Sequence, residues 1–363
     1  MDFIPIRQWF KELEYEHFII IAGPCAAESK EQVLSTAEEI KKIDKVRIFR
    51  AGLWKPRTSP HSFEGVGEEG IEWLKEVKSK YQLLIATEVA KPVHIERLLS
   101  SGAVDIFWIG ARSVSNPFSI QELAEAVRGV DIPILVKNPI HPDLRLWIGA
   151  IERFLKAGVK KIGAIHRGFY PFERSKLRNI PKWEIAIELK VQMKDLPIIG
   201  DPSHIAGDKK FIPEIAQYGI DLNFDGLMIE THINPLRALS DSKQQLTPLE
   251  LKKLLEVLVF KRRNIKSTSE LEQYRQQIDS IDYQIIELLY KRMQIVKNIG
   301  IFKKRTSIPI FDLERWIEIR ESRLEFARKL GLDIEFMKKI LQLIHKQSIT
   351  EQQKIKNGKD KQK

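Results

Sequence analysis

The sequence predicts an α/β protein, a (β/α)8 TIM barrel followed by a three-helix all-α domain, and three observations carry that prediction. Eight short apolar runs recur through the first 260 residues, amphipathic segments lie between them, and beyond a polar stretch at 261–269 helical spacing continues without strand-like runs. Each apolar run is only a few residues long and rich in β-branched side chains, as strands covered on both faces should be. Eight such strands alternating with helices over about 250 residues is the arithmetic of a closed parallel barrel.

In order, the strand runs are HFIIIA (17–22), VRIFRA (46–51), LLIATE (83–88), DIFWIG (105–110), PILVKN (133–138), KIGAIH (161–166), PIIGD (197–201) and GLMIET (226–231). Apolar residues three and four apart predict helices at EEGIEWLKEVKSKY (68–81), PFSIQELAEAVRG (117–129) and DLRLWIGAIERFLKAG (143–158), with Trp183–Met193, Phe211–Tyr218 and Thr247–Phe260 reading the same way. A doubly wound open sheet is the rival; it ordinarily needs fewer strands and a glycine-rich first turn, and no GxGxxG is present.

The segment KRRNIKSTS (261–269) is polar and aperiodic, which marks a linker. Beyond it Leu271, Tyr274, Ile278, Ile281, Ile285, Leu288, Leu289, Ile295, Ile299 and Phe302 keep three-to-four spacing. That length predicts a helix packed along its course, in particular against a partner chain. Pro309 breaks it, a second helix runs from Asp312 to Lys329 and stops at Gly331, and a third runs from Asp333 to Ile355 before a frayed tail. The expected domains are therefore 1–260, the barrel, and 270–363, the helices.

Composition bounds the function. Of 363 residues, 43% are apolar and 30% charged, which excludes wholesale disorder and suits two domains. The single cysteine excludes a disulfide-stapled scaffold and zinc sites built from paired CxxC motifs. The first residues carry no secretory pattern, and nowhere do eighteen apolar residues run together, so a cytoplasmic protein with no membrane partner is expected. The barrel begins some twenty residues into the chain, which leaves no room for a separate N-terminal regulatory domain. Residues 1–260 hold 36 Lys+Arg against 35 Asp+Glu, whereas residues 261–363 hold 24 against 14. No helix-turn-helix spacing, zinc knuckle or aromatic–basic interleaving accompanies that basic surplus, so no nucleic acid is expected as a partner.

Chemistry in such a barrel gathers at the C-terminal ends of the strands. There the sequence places Cys25 in GPCAAES; Arg50, then Lys55, Arg57, Thr58 and Ser59 in WKPRTSP; Arg112 in GAR; Lys137; His166 and Arg167 in HRG; Asp201 and His204 in DPSH; Glu230; and Asp241 eleven residues on. Arg50, Lys55, Arg57, Arg112, Lys137 and Arg167 crowd one end, which is costly unless they face anions, so phosphate compounds are the expected ligands. Cys25, His204, Glu230 and Asp241 offer S, N, O and O donors that suit Zn2+, Fe2+ or Mn2+, and an ion beside phosphates would act as a Lewis acid.

The motifs AGPCAAES, KPRTSP, IGAR, VK, DPSH and E-x10-D, in order between residues 18 and 260, resemble those of 3-deoxy-D-arabino-heptulosonate 7-phosphate synthase, in particular its short-chain group, whose barrel is similar to 3-deoxy-octulosonate 8-phosphate synthase. The resemblance implies an aldol-like condensation of phosphoenolpyruvate with erythrose 4-phosphate. It implies a divalent metal on Cys25, His204, Glu230 and Asp241, phosphoenolpyruvate on Arg50, Lys55, Arg112, Lys137 and Arg167, and the sugar phosphate on Arg57, Thr58 and Ser59. Lys55 is the candidate proton donor. The KPRTS wording favours the four-carbon aldose over the five-carbon substrate of the octulosonate enzymes, which is the alternative. Trp108 stands where the family usually has Gln, and His166 where Glu is frequent.

In the helical part, Lys303 lies eleven positions after Arg292 and shares its face to within roughly 20°, whereas Arg275, seventeen positions before, points roughly 100° away. The segments YRQQIDSID, KRMQIVKNIGIFK, PIFDLERW and QLIHKQSITEQ resemble the all-helical chorismate mutases, intertwined dimers in which the partner donates one arginine. The resemblance implies a chorismate site of Arg275, Arg292, Lys303, Asp312, Arg315, Ser348 and Gln352, with Trp316 where many members have Glu. Together these features predict a bifunctional enzyme of aromatic amino-acid biosynthesis, a homodimer through the helical domain or a higher oligomer, whose mutase domain doubles as a feedback sensor. A helical module that binds or dimerises without catalysing is the alternative.

Overall fold

The computed structural model describes residues 3–56, 59, 61–172, 174–260 and 269–357. Most of the expected linker (261–268), the tail (358–363), Arg57 and Thr58 lie outside the described residues. The chain divides into two compact units, Met1–Arg263 and Asn264–Lys363.

The first unit is a closed barrel of eight parallel strands in sequence order: β1 (Ile19–Gly23), β2 (Val46–Arg50), β3 (Leu84–Val89), β4 (Ile106–Ile109), β5 (Ile134–Lys137), β6 (Ile162–His166), β7 (Ile198–Gly200) and β8 (Gly226–Glu230). Pairing of β8 with β1, Gly23 opposite Glu230, closes the ring. Around it lie α1 (Lys30–Lys41), α2 (Glu69–Tyr81), α3 (Pro92–Ser101), α4 (Ala111–Val114), α5 (Pro117–Ala126), α6 (Leu144–Lys156), α7 (Trp183–Gln192), α8 (Pro202–Ala206), α9 (Ile212–Asp221) and α10 (Pro248–Val257). Several helices stop short of their apolar spacing: α5 at Ala126 rather than Gly129, and α10 at Val257, because Leu258 is already extended (ψ 132°). The start of α10 is fixed by a capping box between Thr247 and Glu250.

Strand alternation separates two cores. Ile20, Ala22, Phe49, Phe107 and Ile109 point outward into the layer beneath the helices. Ile19, Ile21, Ile48, Ile106, Trp108, Leu135, Ile165 and Met228 point into the barrel, where they meet Ile6, Trp9 and Leu13 from the N-terminal segment. Two short 3-10 turns (Ile6–Gln8 and Lys11–Leu13), too brief to show a period, carry these residues as a plug. Trp9 is 3% exposed and donates its indole N–H to Ile4 O at 2.9 Å.

The second unit holds α11 (Ser269–Thr306), α12 (Leu313–Lys329) and α13 (Ile334–Lys356). The 38-residue α11 ends before Pro309 is reached, because Ser307 turns to φ 57°. α12 stops where Gly331 takes φ 74°. Gly300 lets α11 lie close to α13: a Cβ there would stand 3.0 Å from Ile355 Cδ1 and 3.3 Å from Gln352 Cα. No helix among the described residues is long and apolar enough to cross a membrane.

If the plug closes the barrel's interior core, Trp9→Ala leaves a cavity that costs about 3–5 kcal/mol. The urea midpoint of the barrel transition should fall accordingly, and an unchanged midpoint would show the plug to be dispensable.

Candidate active sites

The ring closure that sets Gly23 beside Glu230 also brings the loop after β1 against the end of β8. Cys25 Sγ lies 3.4 Å from Asp241 Oδ2, and Cys25, Glu230 and Asp241 offer ligand atoms all within 4.8 Å of one another. Asp241 reaches the cluster from a backbone at φ 51°, which Asp tolerates better than most residues. His204 sits on α8, whose N-cap Asp201 accepts the backbone N–H of His204. The same carboxylate lies 2.8 Å from His204 Nδ1, and Nε2 faces Glu230 Oε1 at 3.6 Å and Asp241 Oδ2 at 3.9 Å. Burial holds this imidazole below its ordinary value against the pull of Asp201, so the ring is neutral and its Nε2 has a lone pair to offer.

The donor set fits a divalent cation. Glu230 Oε1 is buried without a hydrogen-bond partner among the described residues. Burial, and after it the charge of Glu230, pushes the Cys25 thiol up to about 12, so the sulfur stays protonated at neutral pH until a cation displaces the proton. Burial works against ionising Asp241 too, yet Arg178, His204 and Lys55 hold its carboxyl well below the usual range. A sulfur and two carboxylates with a neutral imidazole turned toward them can coordinate Zn2+, Fe2+ or Mn2+.

Around this cluster the cations expected from the strand ends are interleaved with carboxylates. Arg50 is fully buried, with Nη2 3.4 Å from Glu230 Oε1 and 3.2 Å from the Cys25 carbonyl. Its Nε and Nη1 have no hydrogen-bond partner among the described residues. Lys55 Nζ donates to the Cys25 carbonyl at 3.0 Å and lies 3.7 Å from Glu88 Oε2. Burial works against the charge on Lys55, but the carboxylates of Glu88 and Glu230 favour it, and its pKa lies above the ordinary value. Lys137 pairs with Asp201 at 2.9 Å, and burial lowers its pKa despite that partner. Arg167 donates to Asn179 Oδ1 at 3.0 Å; burial, with Arg178 and Arg112 nearby, lowers it to about 10.

Three functional groups escaped the sequence reading. Glu88 is the penultimate residue of β3, and a carboxylate in a buried apolar run was its signal. Gly110 makes room for it, since a Cβ there would lie 2.1 Å from Glu88 Oε1. Arg178 contacts Asp241 at 3.1 Å and Gln244 at 2.6 Å from a loop with no periodic signal. Gln244 in turn donates to Glu230 Oε2 at 2.6 Å. The two departures from the family pattern differ in placement. Trp108 faces inward, donates its indole N–H to Glu88 at 3.1 Å and lies under Arg50, 4.7 Å from the ring centre. His166 faces outward among Trp147, Trp183 and Phe224, its Nε2 2.7 Å from Pro181 O. Ser59, the described member of the expected sugar-phosphate group, is exposed, and its Oγ accepts from His61 N–H at 3.4 Å.

In the helical unit, Arg292 on α11 donates to Ser348 Oγ on α13 at 2.6 Å, and Gln352, one turn further along, is buried with Oε1 unpartnered among the described residues. The other expected members are engaged elsewhere in the single chain. Lys303 Nζ donates to Ile310 O at 2.7 Å, Asp312 caps α12 and Arg315 pairs with Glu318 at 2.6 Å. Arg275 is exposed and pairs with Glu272 at 3.1 Å. Seventeen residues of helix set Arg275 about 25 Å from Arg292, too far for one pocket on one chain. His345, not foreseen, stacks on Trp316 with ring centres 3.9 Å apart.

Residues 14–267 match the DAHP synthetase I family, and residues 274–353 match chorismate mutase type II. Over 252 residues the chain is 32% identical to a phospho-2-dehydro-3-deoxyheptonate aldolase of Thermotoga maritima, covering 68% of this chain and 72% of that one. It is 28% identical over 271 residues to a 2-dehydro-3-deoxyphosphooctonate aldolase of Coxiella burnetii, covering 70% of this chain and 93% of the relative. The crystal structure of a DAHP synthase of Thermotoga maritima superposes with a TM-score of 0.58 at 31% identity, over 66% of this chain and 67% of that one.

Because Cys25 is the sole cysteine, its state can be read directly. In metal-free protein a thiol reagent should react sluggishly at pH 8. Addition of Co2+ should produce a thiolate charge-transfer band that Cys25→Ser lacks. Rapid thiol reaction without metal, or the same band in the serine variant, would refute the geometry.

Proposed function

The chain belongs to the DAHP synthetase I family, and on that premise we propose that its barrel condenses phosphoenolpyruvate with erythrose 4-phosphate while its helical unit rearranges chorismate to prephenate. The observation that carries the first half is the ring of buried cations, Arg50, Lys55 and Lys137, around the Cys25–Glu230–Asp241 cluster. A divalent metal held by Cys25, His204, Glu230 and Asp241 would polarise the sugar's aldehyde carbonyl.

The chain's own groups account for the rest. Arg50 has three N–H bonds, on Nε and Nη1, without partners among the described residues, and Arg112 and Arg167 supply further positive charge, so together with Lys137 they hold the phosphate and carboxylate of phosphoenolpyruvate. Its enol carbon attacks the aldehyde carbon, water adds to the cationic carbon left behind, and phosphate departs. Lys55, whose ammonium faces Glu88 and donates to the Cys25 carbonyl, gives a proton to the aldehyde oxygen as the carbon–carbon bond forms. Arg57, Thr58 and Ser59 meet the sugar phosphate.

Carbon count separates the two readings. A three-carbon enol with a four-carbon aldose gives the heptulosonate, and with a five-carbon aldose the octulosonate. The KPRTS segment favours the first; the resemblance to 2-dehydro-3-deoxyphosphooctonate aldolases supports the second. With phosphoenolpyruvate and erythrose 4-phosphate, turnover should stop on chelation, return with Mn2+, and be absent in Cys25→Ala. Turnover only with a five-carbon aldose phosphate would select the second reading, and full turnover without metal would sink both.

For the mutase, Arg292, Ser348 and Gln352 form the half-site of one protomer. A second copy completes it with Arg275, which the distance along α11 supports. So do Tyr274, Ile278, Ile281, Ile285 and Leu288, apolar side chains exposed along α11. The reaction is pericyclic and needs only that the dicarboxylate be held compact and that negative charge on its ether oxygen be met by fixed donors. The same pocket, filled by prephenate or chorismate, damps the synthase. The cytoplasm, which keeps Cys25 reduced, is the expected compartment. Arg292→Ala should abolish chorismate turnover and also relieve inhibition of the synthase by prephenate; retained turnover would mean the pocket is wrongly drawn, and retained inhibition that the effector binds elsewhere.

A further inference from the structure

His345 lies on α13 three residues before Ser348 and seven before Gln352, so the three share one helix face. Its Nε2 is buried and has no hydrogen-bond partner among the described residues. The ring is not free to seek one. Trp316 of α12 stacks on it at 3.9 Å with an interplanar angle of 16°, and Phe311 meets it edge-on at 5.9 Å. His345 is held between aromatic rings with this nitrogen left over.

That leftover nitrogen stands beside the half-site already described. Arg292, which reaches Ser348 Oγ from α11, also acts on the imidazole and, after burial, holds it below its ordinary value, so the ring is neutral at pH 7. Gln352, 8% exposed, has its Oε1 unpartnered as well. Two buried polar atoms without partners on one helix face, next to a guanidinium, are the arrangement expected where a polar ligand supplies the missing bonds.

We propose that His345 is a substrate-contacting residue of the mutase site: Nε2 hydrogen-bonds an oxygen of the bound dicarboxylate, and the Trp316 ring is the platform that fixes its direction. The inference rests on the mutase reading of this pocket.

The test uses the full chain and chorismate as probe. His345→Leu should lower kcat/KM for chorismate about 10- to 100-fold and leave synthase turnover and helical circular dichroism unchanged. His345→Gln, whose amide nitrogen falls near the place of Nε2, should stay within about threefold of the parent. His345→Asn, whose amide falls near Nδ1, should behave like the leucine variant. Parent-like turnover in His345→Leu would overturn the proposal. So would equal losses in the glutamine and asparagine variants, which would reduce His345 to a packing role. If the leucine variant loses its helical signal, the glutamine–asparagine contrast decides alone. Arg292→Ala, run in parallel, separates the two levels. If it turns over chorismate normally, the assignment of this pocket as the mutase site fails; if it is inactive while His345→Leu is not, only the present inference fails.

Discussion

Opposite charges placed alternately in a dry space are the constraint on which the barrel's mouth depends. Arg50 beside Glu230, Lys55 beside Glu88 and Lys137 beside Asp201 put three cations and three anions at or just beyond the C-terminal ends of β2, β3, β5, β7 and β8. Each would be strongly destabilising alone, because an unpaired buried charge cannot be solvated. Paired, they are tolerated in the dry space, and Arg50 still has three N–H bonds, on Nε and Nη1, without partners among the described residues. The arrangement explains how so many buried cations persist: each has an internal carboxylate beside it.

The same carboxylates divide their work. Asp201 takes an ion pair from Lys137 on one side and fixes the tautomer of His204 on the other. Glu230 faces Arg50 through Oε1 and receives Gln244 through Oε2. Substitution of Asp201 or Glu230 therefore disturbs both the candidate metal ligands and a buried cation, and the two cannot be tuned independently. The helical unit works differently. There the Arg292 guanidinium meets a neutral hydroxyl, that of Ser348, with the buried Gln352 amide one turn further along α13.

Much of this was legible in the residues. The short apolar runs located all eight strands, and the Arg and Lys residues at their ends marked where buried cations gather, because such residues seldom sit in apolar runs without cause. Alternation could also have settled His166: with Ile165 turned inward, its neighbour must turn out. Other features had no local signature. Glu88 was visible only once β3 was treated like its neighbours, and Arg178 comes from an irregular loop whose path sequence does not encode. The Trp9 plug is two single turns, shorter than any period. Trp316 stood out as a departure, but its partner His345 lies 29 positions away on another helix, and only packing brings them together.

The plug also bears on how the chain is made. Ile6, Trp9 and Leu13 leave the ribosome more than two hundred residues before β8 (Gly226–Glu230) exists to close the ring. At about 5–20 residues per second, translation leaves those apolar side chains without their final seat for roughly 10–40 s. Completion of the interior is thus a late, non-local event joining the two ends of the first unit. During synthesis the nascent amino-terminal segment is the natural target for chaperone capture.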